Sequence, residues 1–296
     1  MNQKDITNTA IWEELNVVWQ NIKEVYRPAI SSELSESEIS LSDWGLLLAV
    51  LKFEPEETTP GHLMIRNPFT AAEVYRERLE ELTGAGYLSK TQAGKFVLTG
   101  KGRELTQRLI VNAREAMDGI TLNPDEMVAG ILSPLDRLLQ TSLEGPSPPN
   151  KWSIGLSYKL MPPADHPIPY IEQTITCIAA YYDDSYLAAW RKSRLSATAL
   201  DTLTLFWRGE ANSYDSLCDR LAQRGHSCDV YAGIVDDLRA LEYIKGSTDD
   251  LWITPTGRLV RNQIEDDTDN YFFTPWKVLQ DDEKTSFLRL LQEFST

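Results

Sequence analysis

The chain has 296 residues, 42% hydrophobic and 25% charged, with 8 Trp and 12 Tyr, so it has bulk for folded cores in two domains and is not disordered. Its net charge of −15 excludes a protein that coats nucleic acid indiscriminately, because neutralising phosphates takes an excess of Lys and Arg; a small local basic surface stays open. The polar stretch 1–10 does not read as a secretory signal, the longest apolar stretch is too short to span a membrane, and Cys177, Cys218 and Cys228, odd in number and without repeated C-x-x-C spacing, fit a reducing cytoplasmic compartment.

Hydrophobic periodicity predicts a helix over 9–26, with Ile11, Leu15, Val18, Trp19 and Ile22 on one stripe. A helix over 43–53 follows, with Trp44, Leu47, Val50 and Leu51 on one face, and then a second short helix that is clearer in the second half. After the turn Asn67-Pro68, a helix over 70–83 has Thr70 as its cap and Tyr75, Leu79 and Leu82 inward. Gly84 and Gly86 mark its end. A hairpin, 87–91 and 95–98, turns at Ala93-Gly94, and Thr99 opens a further helix over 103–117, with another over 127–143. Pro and Gly in 145–150 and 161–163 break the pattern, giving a first domain 1–144, a linker 145–169 and a second domain 170–296.

The second domain starts with a helix over 170–182, then a break at Asp183-Asp184 capped by Asp184. Helices over 198–208, 213–223 and 227–241 follow; Tyr231, Val235 and Leu238 line the last, with Ser227 as its cap. A hairpin turns at Thr248-Asp249-Asp250, Thr254 opens another helix, 265–269 is an acidic solvated tract, and a helix over 285–294 closes the chain.

The two halves repeat each other in order. Val74-Tyr75 matches Val230-Tyr231, Leu79 and Leu82 match Val235 and Leu238, and Tyr87-Leu88 matches Tyr243-Ile244. With one residue dropped in the turn, Phe96-Val97-Leu98-Thr99 matches Leu251-Trp252-Ile253-Thr254, and Gly102-Arg103 matches Gly257-Arg258. Leu41-Ser42 and Leu195-Ser196 precede the first helix of each copy. Three helices and a hairpin describe a winged helix-turn-helix. The expected fold is therefore mainly α with small β-hairpin wings, a tandem winged helix-turn-helix in a pseudo-two-fold arrangement.

The run Leu98-Thr99-Gly100-Lys101-Gly102-Arg103, preceded by Leu79, Leu82 and Gly86-Tyr87-Leu88, resembles the wing region of MarR-like transcription regulators. Ile253-Thr254-Pro255-Thr256-Gly257-Arg258 carries the same resemblance in the second copy. It covers about 9–118 and 170–296, and only the wing motifs are specific. The resemblance implies a family dimer fused into one chain, double-stranded DNA as partner, and a small aromatic effector, with Trp12, Tyr26, Tyr186 and Trp190 near its pocket. The chain departs from the family in its wings. The Asp-x-Arg whose arginine enters the minor groove is replaced by Thr91-Gln92-Ala93-Gly94 and by Thr248-Asp249-Asp250-Leu251, and Glu242 stands where the first copy has Gly86.

Candidate DNA contacts follow from position and charge. Residues 82–103 hold Lys90, Lys95, Lys101 and Arg103 and no acid, a basic wing suited to phosphates, with Gln92 at its turn. Arg66, Asn67 and Thr70, at the start of the recognition helix, are placed to reach base edges, and Arg76 faces outward beside Glu73, Glu77 and Glu80. In the second copy Arg224, His226 and Ser227 precede the helix and Lys245 lies in the wing, while Asp229, Asp236, Asp249 and Asp250 would repel phosphate. The same acidity supports an alternative, a winged-helix module that has lost DNA binding and holds a protein partner.

Nothing in the pattern points to an enzyme, a cofactor or a metal. His62, His166 and His226 are scattered, and Cys218 and Cys228 flank His226 at no zinc spacing, so Cys218 reads as a packed thiol. The glycines at 84 and 86 end a helix rather than cradle a phosphate, and no Ser-His-Asp or Cys-His order recurs.

Overall fold

The computed structural model describes residues 3–120 and 125–295. Helix α1 (Gln3–Glu36) runs past the expected end at Tyr26 and through Pro28. Pro28 removes an N–H from the ladder, but Glu24 and Pro28 are exposed, so water can serve the carbonyl left over. Ile11, Leu15, Val18, Ile22 and Ile30 of this helix are fully or almost fully buried.

The remaining elements are α2 (Leu41–Phe53), α3 (Pro60–Arg66), α4 (Ala72–Gly84), β1 (Leu88–Lys90), β2 (Phe96–Leu98), α5 (Gly100–Asp118), α6 (Asp125–Glu144), α7 (Trp152–Tyr158) and α8 (Pro167–Lys192). Then come α9 (Ala197–Arg208), α10 (Tyr214–Leu221), α11 (Cys228–Ala240), β3 (Ile244–Ser247), β4 (Asp250–Ile253), α12 (Pro255–Phe272) and α13 (Asp281–Ser295). The chain is thus mainly helical with two antiparallel hairpins, β1–β2 and β3–β4. Among the described residues no helix is long and apolar enough to cross a membrane.

Two compact units divide the chain, and they do not follow the boundaries at 144 and 170. The first is Met1–Glu57, Leu82–Asp184 and Phe272–Thr296; the second is Thr58–Glu81 and Ser185–Tyr271. The expected linker also carries structure. It holds α7, whose first amides, Ser153 N and Ile154 N, donate to the Asp184 carboxylate at 2.9 and 3.0 Å. Asp184 therefore caps a helix, but α7 rather than its own; α8 runs unbroken through Asp183-Asp184.

In the first unit α1 packs on α5 and α13, and α13 on α6. Ser40 and Asp43 form a capping box for α2, an arrangement that stabilises a helix start by about 1 kcal/mol. The hairpin pairs Leu88 with Leu98 and Lys90 with Phe96, and Leu88, Phe96 and Leu98 turn inward. In the second unit Leu203, Phe206, Leu217, Tyr231, Val235, Leu238, Ile244 and Leu251 form one core under β3 and β4. Arg261 of α12 is buried there: its Nε donates to Thr204 Oγ1 at 3.0 Å, Glu265 pairs with it at 2.5 Å, and the Trp207 ring lies 4.7 Å from it. A buried guanidinium is tolerated only with such partners.

The junction of hairpin and helix has the same contacts in both halves. Thr99 N donates to Tyr87 O (3.0 Å), and Thr254 N donates to Tyr243 O (2.9 Å). Thr99 Oγ1 donates to Gly86 O (2.7 Å), and Thr254 Oγ1 donates to Glu242 O (2.5 Å). Gly86 has φ +80°, and Glu242 occupies the same left-handed region with φ 59°, at a cost of about 1 kcal/mol.

One expectation is corrected here. Cys218 and Cys228 are joined in a disulfide, with Cα atoms 5.5 Å apart, where the sequence reads Cys218 as a packed thiol. The turn between α10 and α11 brings together two side chains that look unrelated along the chain.

Candidate functional site

The helix-turn-helix of the second half is α10, a 3-10 turn over Ala222–Arg224, and α11. Ser213 caps α10, Gly225 takes φ +75° to reverse the chain, and Ser227 accepts from Val230 N to cap α11, as its sequence position predicts. Tyr231, Val235 and Leu238 face the core, which leaves Asp229, Gly233, Asp236 and Asp237 exposed.

The start of α4 belongs to the same compact unit and packs against that turn. Phe69 sits 6.2 Å from the Tyr186 ring and 5.9 Å from the Trp190 ring, beside Leu200 and Ile264. Ala71 N donates to Arg224 O at 2.8 Å, and His226 Nε2 donates to Phe69 O at 3.1 Å. The Arg224 guanidinium lies 5.6 Å over the Phe69 ring and pairs with Asp201 at 2.8 Å. Burial pushes the Asp201 carboxyl up, and Arg224 pulls it back down. Thr70 is buried, and Asn67 O accepts from the Tyr75 hydroxyl at 3.3 Å. Arg224, His226 and Thr70 are thus engaged inside the protein, where the sequence places them among candidate DNA contacts. Arg66 ends α3 on an exposed face, Ser227 is occupied as a cap, and Arg76 is paired with Glu73.

The first wing keeps its basic residues at the surface, but carboxylates accompany them. Lys95 pairs with Glu57 at 3.6 Å, and Arg103 grips Glu54 with two bonds of 2.6 Å. Lys101 donates to Ala85 O at 2.9 Å and covers the Tyr87 ring; Lys90 lies 5.4 Å from the Phe96 ring, and Gln92 is exposed in the turn. Exposed pairs of this kind are worth at most about 1 kcal/mol, so incoming phosphates can displace them. In the second wing Lys245 is exposed, paired in register with Trp252, and Asp249 and Asp250 are exposed beside it.

Residues 157–296 match the model of a helix-turn-helix family. This half of the chain carries a helix-turn-helix domain. Searches of curated proteins and of solved structures found no match.

The first unit holds a cavity of about 240 Å³ lined by Trp19, Lys23, Tyr26, Trp44, Arg114 and Glu172, among others. The Lys23 ammonium lies 2.9 Å from the Trp19 ring centroid, and burial lowers its pKa to about 8. Glu172 accepts from Trp19 Nε1 at 3.0 Å and Thr176 Oγ1 at 3.2 Å, while burial raises its carboxyl above the usual range. Arg114 donates to Leu160 O at 2.7 Å, and Trp44 Nε1 is buried with no hydrogen-bond partner among the described residues. Aromatic walls with several donors suit a flat molecule bearing acceptor atoms. Of the four residues expected near a pocket, only Tyr26 lines this one. Trp12 packs against Tyr182 and Phe272, while Tyr186 and Trp190 surround Phe69. Lys23, Arg114 and Glu172 escape the sequence reading. The available signal is a carboxylate at 172 within the apolar run Ile168, Ile171, Ile175 and Ile178 of α8.

Proposed function

We propose that the chain is a transcription regulator that binds double-stranded DNA through winged helix-turn-helix copies, built as a MarR-like pseudo-dimer in one polypeptide. It acts by binding, not as an enzyme. The observation that carries the reading is the helix-turn-helix match over 157–296, on the segment where α10, the turn and α11 lead into the β3–β4 hairpin. The matching contacts of Tyr87 with Thr99 and of Tyr243 with Thr254 support a second copy in the first half. The exposed lysines of the first wing supply phosphate contacts, and the acidic body limits indiscriminate binding. The cavity around Trp19 and Trp44 supports a response to a small aromatic effector.

The test is binding of the purified chain to fluorescent duplexes from around its own gene, at low and moderate salt. Saturable, salt-sensitive and fragment-selective binding supports a regulator. No binding at low salt defeats the reading.

One observation favours a second reading, a protein-interaction module. The start of α4 is covered by the turn before α11, and the exposed residues of both recognition helices include Glu73, Glu77, Glu80, Asp229 and Asp236. Capture of a basic protein partner by a chain that ignores DNA would establish it.

A further inference from the structure

The two copies of the repeat touch at equivalent turns. Phe69 stands five residues before Val74, and Gly225 stands five before Val230, the valine that matches Val74. At this place the copies differ in the way the contact requires. Gly225 has no side chain, and Val74 takes the space: a Cβ there would lie 2.2 Å from Val74 Cγ2. Phe69 carries the ring that Gly225 lacks, and that ring packs on Tyr186 and Trp190. Polar atoms complete the grip. Ala71 N donates to Arg224 O at 2.8 Å, His226 Nε2 donates to Phe69 O at 3.1 Å, and the Arg224 guanidinium covers the Phe69 ring at 5.6 Å.

This contact is incompatible with reading DNA through both copies. Paired helix-turn-helix units set their recognition helices in major grooves about 34 Å apart along the duplex. A single major groove is about 12 Å wide and admits one helix. Two helix starts joined through Val74 and Gly225 fit neither arrangement.

We propose that the turn between α10 and α11 is a docking site for the start of α4, a contact within the chain by which each helix-turn-helix masks the other, and that Phe69 leaves the Tyr186–Trp190 face before the chain reads DNA. The DNA clause rests on the function proposed above. Arg224 and His226 hold the masked form, although their position in the sequence is that of phosphate contacts. Apparent affinity for DNA is then the affinity of the open form scaled by the fraction of chains that are open. Loosening the dock raises that fraction and tightens binding.

The experiment compares the full chain with Phe69→Ala and with the double variant Arg224→Met, Asp201→Asn, which removes the guanidinium without leaving the Asp201 carboxylate unpaired. Amide exchange and fluorescence anisotropy on duplexes from around its own gene, across a salt series, are read on all three. The Ala71 amide should be protected in the parent and exchange about tenfold faster in both variants. DNA binding should be about tenfold tighter in both. The sign of the change decides the role of Arg224, because loss of a phosphate contact weakens binding and lowers the salt slope by about 1. Each variant tests the dock by itself if the other folds poorly, and protection of Ala71 in the parent tests it without either. An unprotected Ala71 amide in the parent, or equal exchange in a folded variant, overturns the dock. DNA binding that is equal or weaker in the folded variants overturns the masking and leaves the DNA-binding function standing. If exchange is faster in the variants and no form binds DNA at low salt, the dock stands and the DNA-binding function fails.

Discussion

A Cβ placed on Gly225 would stand 2.2 Å from Cγ2 of Val74. The turn before α11 and the first turn of α4 therefore meet at van der Waals limit, and Gly225 already uses φ +75°, which a side chain strains. Gly225→Ala should destabilise the protein by about 1–3 kcal/mol in urea unfolding. Val74→Ala in the same chain should restore part of that loss by removing the methyl that clashes. An unchanged midpoint in the single variant would mean the two segments are apart in solution.

Gly102 and Gly257 open α5 and α12 under a carbonyl. A Cβ would lie 2.0 Å from Tyr87 O at the first and 2.3 Å from Tyr243 O at the second. Neither carbonyl can yield, because each already accepts from the amide of Thr99 or Thr254. Gly102→Ala and Gly257→Ala should each cost about 1–3 kcal/mol. Calorimetry showing a loss at only one of them would count against two equivalent copies.

Lys90 and Lys95 bracket the exposed turn of the first wing. Replacing both by Glu should weaken DNA binding for every sequence and lower the salt-dependence slope by about 2. Fluorescence anisotropy across a salt series measures both. The same affinity and slope as the parent would remove the first wing from the DNA interface.

Glu172 sets a pH dependence whose sign is fixed. Its folded pKa is raised, so the folded state binds its proton more tightly than the unfolded chain does. Its stability contribution is fully present below the unfolded carboxylate pKa and is lost as pH rises through the folded value. Glu172→Gln keeps an oxygen to accept from Trp19 Nε1 and removes the charge. Its melting temperature should exceed the parent's at pH 7, and the difference should shrink as pH falls toward 4. Lys23 gives the opposite arm: with its pKa lowered to about 8, stability should rise with pH above that value, and Lys23→Met should abolish the rise.

The cavity has its own test. Benzoate, flat and carrying two acceptors, should raise the melting temperature of the parent and quench the emission of Trp19 or Trp44. Lys23→Met should weaken both effects. Full effects in that variant would place benzoate elsewhere.

The local pieces were legible because local rules set them. Apolar spacing marked α1, α2, α4, α9 and α11, Ser227 announced a cap, and glycine at 86 announced a left-handed turn. α3 is expected only as a short helix without bounds, because 7 residues are too few for a period, although Thr59-Pro60 is an N-terminal signal. Asp184 reads as a local cap because nothing in the neighbouring residues reveals Ser153 and Ile154, 31 and 30 residues away by sequence yet adjacent in space.

By itself the sequence determined the mainly helical character, the two hairpins and the order of elements in each half, since these depend on neighbours within a few residues. Tertiary structure alone decided that Phe69 packs with Tyr186 and Trp190, that Arg224 and His226 hold it there, that Cys218 meets Cys228, and that Lys23, Arg114 and Glu172 share one cavity. Burial of an aromatic ring and the pairing of charges depend on which surfaces meet, and no periodicity along the chain carries that information.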